Sequence, residues 1–421
     1  MLPLQLPTIQ NWSCHNCGGC CTQHLIEVTE EERQRILGQN WTAADGIPAG
    51  QPVLEWHAGP PWRKRYRLAH RANGACVFLD DNKLCRIHAK FGEAAKPLAC
   101  RIYPYAFHPQ GKSVTVSLRY SCPSVVKNLG RPLPQQMSDL RTIEQLVVPD
   151  GIERIAPPEL SPGSRVDWPV FRRFVLNLDQ ILAETQTPVV VRLIQALAWT
   201  NLVQQARFDG LSDHKLHEFL QLVTAAVHVE FAKLPEPMAE PTRVGRLYFR
   251  LTAAQYARKD TVADLKGGWS ARWKLLRAIL RFSKGQGLVP PLQDGFEPVP
   301  FTDLEEPCGP LSPEADELLT RYLRVKVQGL HFCGRAFYDV PFAEGFASLA
   351  LIIPVTLWLA RWRARSQQRT AWTLDDLQFA LTVADHHHGF SPAFGQSASR
   401  RRMRYLTTSG DLTRLCVWYA Q

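Results

Sequence analysis

Apolar residues recur at helical spacing through the second half of the chain. The clearest stripe follows Asp167, which suits a helix cap, and Pro169, which suits a first turn. Its apolar positions are Phe171, Phe174, Val175, Leu178, Ile181 and Leu182. Similar spacing predicts helices over 189–207, 213–234, 243–258, 271–282, 346–365 and 374–384, and Ser312-Pro313 predicts the start of another. We therefore expect the chain beyond residue 169 to be mostly α-helical.

The first third of the chain has a different pattern. Thr29 followed by Glu32 predicts a capping box at the start of a short helix. Residues 114–120 alternate like a strand, after a turn at 109–111, and residues 76–85 predict a hairpin with Asp81-Asn82 at its turn. We therefore expect an α+β protein with a small, loop-rich domain over 1–130, a Pro-rich linker over 131–168 and a helical domain over 169–421.

The longest apolar run, 346–360, has about 15 residues and contains Pro354, whereas a membrane span needs about 20. We interpret it as a buried core helix and expect no membrane span. The N-terminal residues lack the basic and apolar regions of a signal peptide, so we expect a cytoplasmic protein. In that reducing compartment, clustered cysteines indicate metal or redox chemistry rather than structural disulfides.

The formal charge of +10 points mildly towards acidic partners or anionic surfaces. Two local basic clusters, at 63–67 and 400–404, are best interpreted as a solvated strand edge and a solvated helix face. The sequence contains no recognisable nucleic-acid-binding module.

Eight of the 11 cysteines lie before residue 125, and the motif Cys14-His-Asn-Cys17-Gly-Gly-Cys20-Cys21 opens the series. A Cys-x-x-Cys turn places two thiolates within reach of one metal ion, and Gly18 and Gly19 allow the backbone turn that this requires. Cys20 follows Cys17 at the same spacing as Cys17 follows Cys14, so three thiolates can lie around one metal ion. Because adjacent side chains usually point apart, we expect Cys21 to serve a second ion, another iron of a cluster, or the core.

The remaining cysteines of this region are presented by short loops. In the predicted hairpin, Cys85 lies opposite Phe78 and diagonal to Cys76 on one face, with His88 facing away and ranking below the cysteines as a ligand. Pro97 and Pro104 lie on either side of Cys100, and Pro123 directly follows Cys122. Nearby prolines suit a rigid loop that presents a thiolate. The predicted metal ligands are Cys14, Cys17, Cys20, Cys21, Cys76, Cys85, Cys100 and Cys122. Arg86 and Arg101 are candidates to offset the charge of the thiolates.

Besides a metal centre, two other interpretations of the cysteines are open. They could fill a small core as thiols, or two of them could form a catalytic dithiol. The spacing leaves both zinc and iron open, including a [4Fe–4S] cluster. The three later cysteines, Cys308, Cys333 and Cys416, are interpreted as small core residues. His386, His387 and His388 are either metal-binding or placed to suit a helix C-terminus. Most of the four histidines of the cysteine region, His24, His57, His70 and His108, are expected at the surface or in loops.

These motifs resemble the CxxCxxCC cysteine-cluster family, the YkgJ-type zinc- or iron-chelating domain. The resemblance rests on 14–21, 76–88, 97–104 and 122–123 and covers most of residues 12–125. Longer members resemble flagellin lysine N-methylase, and 318–365 with 384–388 looks like their helical part. That second resemblance implies S-adenosylmethionine as methyl donor and a protein lysine as acceptor.

Three functions are compatible with the sequence. The first is metal binding that organises a site between the two parts of the chain. The second is protein lysine N-methylation, although the sequence has no strand followed by a Gly-x-Gly-x-Gly loop of the common methyltransferase kind. The third is a non-enzymatic role as an interaction protein, in which the metal only stabilises the fold.

Overall fold

The structure is a computed structural model that describes residues 2–208, 210–233, 239–258, 269–306 and 308–421. Helix accounts for 54% and strand for 10%, with short strands in the N-terminal region followed by a mostly helical region. The α+β expectation is therefore confirmed.

The strands form three small sheets. The first has the order β1-β7-β6, the second pairs β2 with β8, and the third has the order β3-β5-β4. Their bounds are β1 Leu4–Gln5, β2 Asn11–Trp12, β3 Glu27–Val28, β4 Leu54–Ala58, β5 Arg65–Leu68, β6 Tyr105–Gln110, β7 Ser113–Leu118 and β8 Arg131–Pro132. The strand predicted from the alternation at 114–120 is β7, which ends at Leu118 and pairs antiparallel with β6 across the predicted turn.

The helices of the N-terminal region are short. They are α1 Gly19–Gln23, α2 Glu30–Gly38, α3 Arg86–Phe91, α4 Leu98–Ile102, α5 Pro123–Val126 and α6 Met137–Val147, with 3-10 turns at Ala43–Asp45, Glu93–Ala95, Leu133–Gln136 and Ile152–Arg154. The predicted capping box opens α2: Glu32 N donates to Thr29 Oγ1 and Thr29 N donates to Glu32 Oε2.

Longer helices build the rest of the chain. They are α7 Trp168–Ala183, α8 Val189–Gln205, α9 Asp213–Glu230, α10 Arg243–Ala257, α11 Trp269–Lys284, α12 Phe301–Glu305, α13 Pro313–Gln328, α14 Phe342–Ser366, α15 Leu374–His387, α16 Pro392–Gly395, α17 Ser397–Thr408 and α18 Asp411–Tyr419. Asp167 and Ser312 cap α7 and α13 as predicted, and the six stripe residues of α7 are all buried. The predicted end of the third helix, Leu234, lies outside the described residues.

Helix α14 is the core helix that the apolar run predicted. It is the one described helix long and apolar enough to cross a membrane by length and composition, and 89% of its apolar window is buried inside the fold. Its neighbours include α8, α10, α15 and α18. The burial on all sides explains why its sequence is apolar all round.

The buried residues form two separate cores. The large core joins the helices to β1, β6 and β7, so Leu4, Val116 and Cys122 pack with residues of α14 and α18. The small core lies within residues 28–87 and consists of Val28, Ile36, Ile47, Leu68, Ala69, Cys76, Val77, Phe78 and Ile87. Cys76 belongs to this small core, and Cys21, Cys85 and Cys100 pack against it.

The segment 131–168, which the proline pattern assigned to a linker, contains helix α6. Its residues Leu133, Leu140, Ile152 and Leu160 are buried in the large core. This segment is therefore packed along its length, and the exact domain boundaries stay a prediction.

Candidate metal centre

The opening cysteine motif folds into a tight loop and the start of α1. Gly18 adopts a left-handed φ of 71°, which glycine tolerates without steric cost, and α1 begins directly after it. Cys14 and Cys17 are exposed in the loop, whereas Cys20 and Cys21 are partly buried in the first turn of the helix.

Adjacent cysteines were expected to point apart, yet the Sγ atoms of Cys20 and Cys21 lie 3.9 Å from each other. Two thiolates on one tetrahedral zinc ion, each at about 2.3 Å, are about 3.8 Å apart. Cys21 also packs against the small core, which was one of the three places predicted for it. The pair therefore has the spacing of two ligands that share one ion.

The predicted hairpin at 76–85 has a different register. Leu79, rather than Phe78, pairs with Cys85, and residues 76–79 form a turn instead of an extended strand. The cause is Asp80, whose Oδ1 accepts from Leu84 N and whose backbone N donates to Leu84 O, so a loop of five residues replaces the two-residue turn.

Helix α3 begins directly after Cys85, which is its N-cap residue, so the strand does not continue to His88. His88 is exposed on α3. On the other arm, Cys76 N donates to Cys21 O at 2.7 Å, which ties the turn at 76–79 to the opening motif.

The structure brings five thiols into one neighbourhood, which we call the five-thiol group: Cys20, Cys21, Cys76, Cys85 and Cys100. Burial, and then repulsion from neighbouring thiolates, raises the pKa of Cys100, and burial raises the pKa of Cys76 to about 12. A hydrogen bond from the Cys21 thiol, with help from Lys96, lowers the pKa of Cys20 to about 6, and the same bond raises the pKa of Cys21. The group therefore already holds one stabilised thiolate.

Cys17 and Cys122 form a second set, because Cys17 lies within electrostatic range of the Cys122 thiol, and Cys14 is exposed in the opening loop. Cys122 is buried as the N-cap residue of α5, and its pKa is raised by burial and, more weakly, by Cys17. Tyr103 lies within electrostatic range of both sets: burial raises its pKa, and so do Cys122 and Cys20. Among the described residues, no three His, Cys, Asp or Glu side chains are already arranged to hold one metal ion.

Two basic residues that the sequence pattern did not single out act on the thiols. Lys96 lowers the pKa of Cys20, and Arg71 acts in the same direction on Cys76 while donating to Val77 O and Leu79 O. Arg86, which sequence position favoured, instead donates to Asp45 O. The spacing of residues in the sequence does not identify Lys96 or Arg71 as neighbours of the thiols, because the tertiary fold brings them together.

The cysteine region meets the helical region at a contact that we call the seam. The His24 ring stacks on His386 with centroids 5.0 Å apart, and the Arg119 guanidinium lies 3.6 Å from the centre of the Phe390 ring. His24 lies in the loop between α1 and β3, which agrees with the expectation for most histidines of this region. His108 lies instead on strand β6, and its ring packs against His331 with centroids 4.9 Å apart.

A buried ion pair lies at the centre of the seam. Lys326 Nζ is 2.7 Å from Asp385 Oδ1, and both side chains are fully buried. Asp385 Oδ2 accepts from the backbone N of Ser121, the residue before Cys122, and Lys326 Nζ donates to Leu118 O. Helices α13 and α15 are therefore hydrogen-bonded to the segment that carries Cys122.

Arg119, which is partly buried, carries a second positive charge beside this pair. Burial lowers its pKa, and its Nε has no hydrogen-bond partner in the part of the chain that the structure describes. Burial and the charge of Arg119 also lower the pKa of His24, which is therefore neutral at pH 7. The seam thus has an excess of positive charge next to cysteines whose metal-bound form is anionic.

The three later cysteines lie outside the five-thiol group. Cys333 and Cys416 are buried core residues as expected, whereas Cys308 is only partly buried. Of the three adjacent histidines, His388 is buried with Nδ1 3.0 Å from Tyr256 Oη.

Comparison with known proteins gives a partial match. Residues 13–123 match the model of the CxxCxxCC family, described as a "putative zinc- or iron-chelating domain". Two lysine-N-methylases, from Salmonella choleraesuis and Salmonella typhimurium, are each 33% identical over 127 residues, which are 30% of this chain and 31% of theirs. The flagellar biosynthetic protein FliU of Salmonella muenchen is 34% identical over 58 residues, which are 14% of this chain and 34% of its own.

No solved structure matches the chain. The chain spans about a third of the length of the curated relatives it matches. Residues 13–123 therefore match the CxxCxxCC domain, which agrees with the resemblance found in the cysteine motifs.

Proposed function

We propose that this protein binds zinc or iron through the thiolates of its N-terminal cysteines, and that the bound metal holds the cysteine region in the form that packs against the helices. The observation that carries the proposal is the convergence of five thiols from four separate segments of the chain. Clustered thiols without a disulfide partner are the usual ligands of zinc and of iron–sulfur centres.

The chemistry of the group fits a metal that prefers sulfur. Cys20 and Cys21 have the sulfur spacing of two ligands on one ion, and Cys20 is already stabilised as a thiolate. The buried thiols with raised pKa values, Cys76 and Cys100 among them, must lose protons to become ligands, so we expect metal binding to weaken as the pH falls. When bound, the metal supplies cross-links among segments that share only a small core.

Nearby positive charges support an anionic centre. Lys96 and Arg71 act directly on the thiols, and Arg119 lies partly buried at the seam within range of Tyr103. A centre with several thiolates carries net negative charge, which these cations offset.

Site-directed variants test the proposal. We expect Cys76→Ser and Cys20→Ser each to lower metal content, with affinity at least about tenfold weaker, because a serine hydroxyl is a poor ligand for these metals. The measurement is metal per chain by elemental analysis after purification without oxygen.

Two variants serve as controls at cysteines outside the N-terminal region. Cys416→Ser changes a fully buried thiol in the large core, and Cys308→Ser changes a partly buried thiol beside Thr370. Both should retain the metal content of the parent protein. Full metal occupancy in the Cys76 and Cys20 variants would contradict the proposal.

An S-adenosylmethionine-dependent protein lysine N-methyltransferase is the alternative that the names of two relatives raise. Since the shared stretch covers only 30% of this chain, metal binding is the favoured function. Transfer of a labelled methyl group from S-adenosylmethionine to a protein lysine would support the enzyme. Loss of folding on chelation, with no small-molecule binding, would support a structural metal in an interaction protein.

A further inference from the structure

Helix α11 presents an apolar stripe to solvent. Trp273, Leu276 and Leu280 are 57%, 45% and 52% exposed, and Ile279 is also exposed at the edge of the stripe. Their spacing of three and four residues puts Trp273, Leu276 and Leu280 on one side of the helix. Isolated exposed apolar residues are common, but an aligned set on one helix face indicates an interaction surface.

The opposite side of the same helix is fixed in the fold. Ala278 and Phe282 are buried, and the Phe282 ring packs 5.4 Å from Phe301 and 6.2 Å from Trp358. Arg250 Nε donates to Phe282 O at 3.1 Å and secures the end of the helix. The exposed stripe is therefore held outward in a fixed orientation.

Positive charge borders the stripe along one flank. Lys274, Arg277, Arg281 and Lys284 recur at helical spacing and are all exposed. None of these four forms an ion pair with any carboxylate in the described ranges, and residues 269–284 contain no Asp or Glu. An apolar stripe with a cationic flank matches the boundary of an anionic lipid bilayer, where apolar side chains enter the acyl region and long cationic side chains reach headgroup phosphates.

The positive charge beside the stripe distinguishes among the possible binding partners of this surface. A second copy of the chain docked through the same stripe would bring two sets of four cations together, which is unfavourable in a symmetric interface. We propose that α11 lies on the surface of an anionic membrane as a peripheral contact, a property that does not depend on the metal centre.

Vesicle flotation with the full-length, metal-containing protein tests the proposal. We expect the protein to float with vesicles of phosphatidylcholine and phosphatidylglycerol at low salt, and not with phosphatidylcholine alone. Leu276→Ser/Leu280→Ser and Arg277→Gln/Arg281→Gln should each weaken binding by about tenfold or more, since one removes inserted apolar area and the other removes two headgroup contacts.

Matched controls isolate the stripe from general effects. Leu222→Ser/Val229→Ser removes two exposed apolar residues from α9, and Arg401→Gln/Arg404→Gln removes two charges from α17. Both controls should float like the parent protein. Absence of binding to anionic vesicles, or an equal loss in Arg401→Gln/Arg404→Gln, would overturn the proposal. Failure to bind vesicles combined with self-association that Leu276→Ser/Leu280→Ser abolishes would overturn it too, and would assign the stripe to a second copy.

Discussion

Replacing Lys326 with methionine is expected to destabilise the protein by about 3–5 kcal/mol. The substitution keeps the length of the side chain but leaves the Asp385 carboxylate, which is fully buried, without its cation. Ser121 N and Tyr322 Oη would still donate to that carboxylate, but neither carries a charge. Unfolding in guanidinium chloride, followed by helical circular dichroism, measures the change.

The double variant Lys326→Met/Asp385→Leu is the control for this prediction. Removing both charges should recover much of the lost stability, because the cost in the single variant comes from an unpaired buried charge rather than from a missing contact. A single variant as stable as the parent protein would show that the seam is not held by this ion pair.

Removal of the metal is expected to unfold the cysteine region while the helical core stays folded. The small core has only nine buried apolar residues spread over 28–87, and a core of that size does not stabilise a domain by itself. Structural zinc in comparable small peptides contributes about 10–16 kcal/mol of apparent binding free energy, which is also folding free energy. The large core holds α14 and its neighbours without any of the five-thiol group.

Hydrogen exchange before and after chelation under reducing conditions measures this effect. Amides in β5 and α2 should lose protection, whereas amides in α14 should keep it. The outcome that would count against a stabilising metal is unchanged protection in β5 and α2 after elemental analysis shows that the metal has gone.

The helical part was largely predictable because its signals are local. The stripe from Phe171 to Leu182 and the caps at Asp167 and Ser312 each lie within a few turns of the helix that they define. The capping box of Thr29 and Glu32 was equally local. Local hydrogen bonds and helical periodicity do not depend on distant parts of the chain, so the sequence alone was sufficient.

The arrangement of the site was less predictable for two physical reasons. The register at 76–85 depends on a side-chain hydrogen bond from Leu84 N to Asp80, which competes with a two-residue turn and is not visible in the apolar pattern. The seam joins Ser121 to Asp385 and His24 to His386, residues separated by more than 250 positions. Contacts of that range leave no periodic signal, although the cysteines themselves were recognisable from their spacing.

The seam gives the metal a route to influence the rest of the molecule. Cys122 follows Ser121, which is held by Asp385, and His24 follows α1, which carries Cys20 and Cys21. Ordering of Cys20 and Cys21 by a metal would therefore fix the segment through which His24 contacts the end of α15. The same connection explains why a small cysteine region stays packed on a much larger helical core.

The most direct test of the proposed metal centre is the metal and acid-labile sulfide content of protein purified without oxygen, together with its visible absorption. We expect at least stoichiometric zinc or iron bound through the cysteines, with sulfide and a brown chromophore if the iron forms a cluster. Colourless protein that contains neither metal, and that takes up neither after reduction and reconstitution, would contradict the proposal.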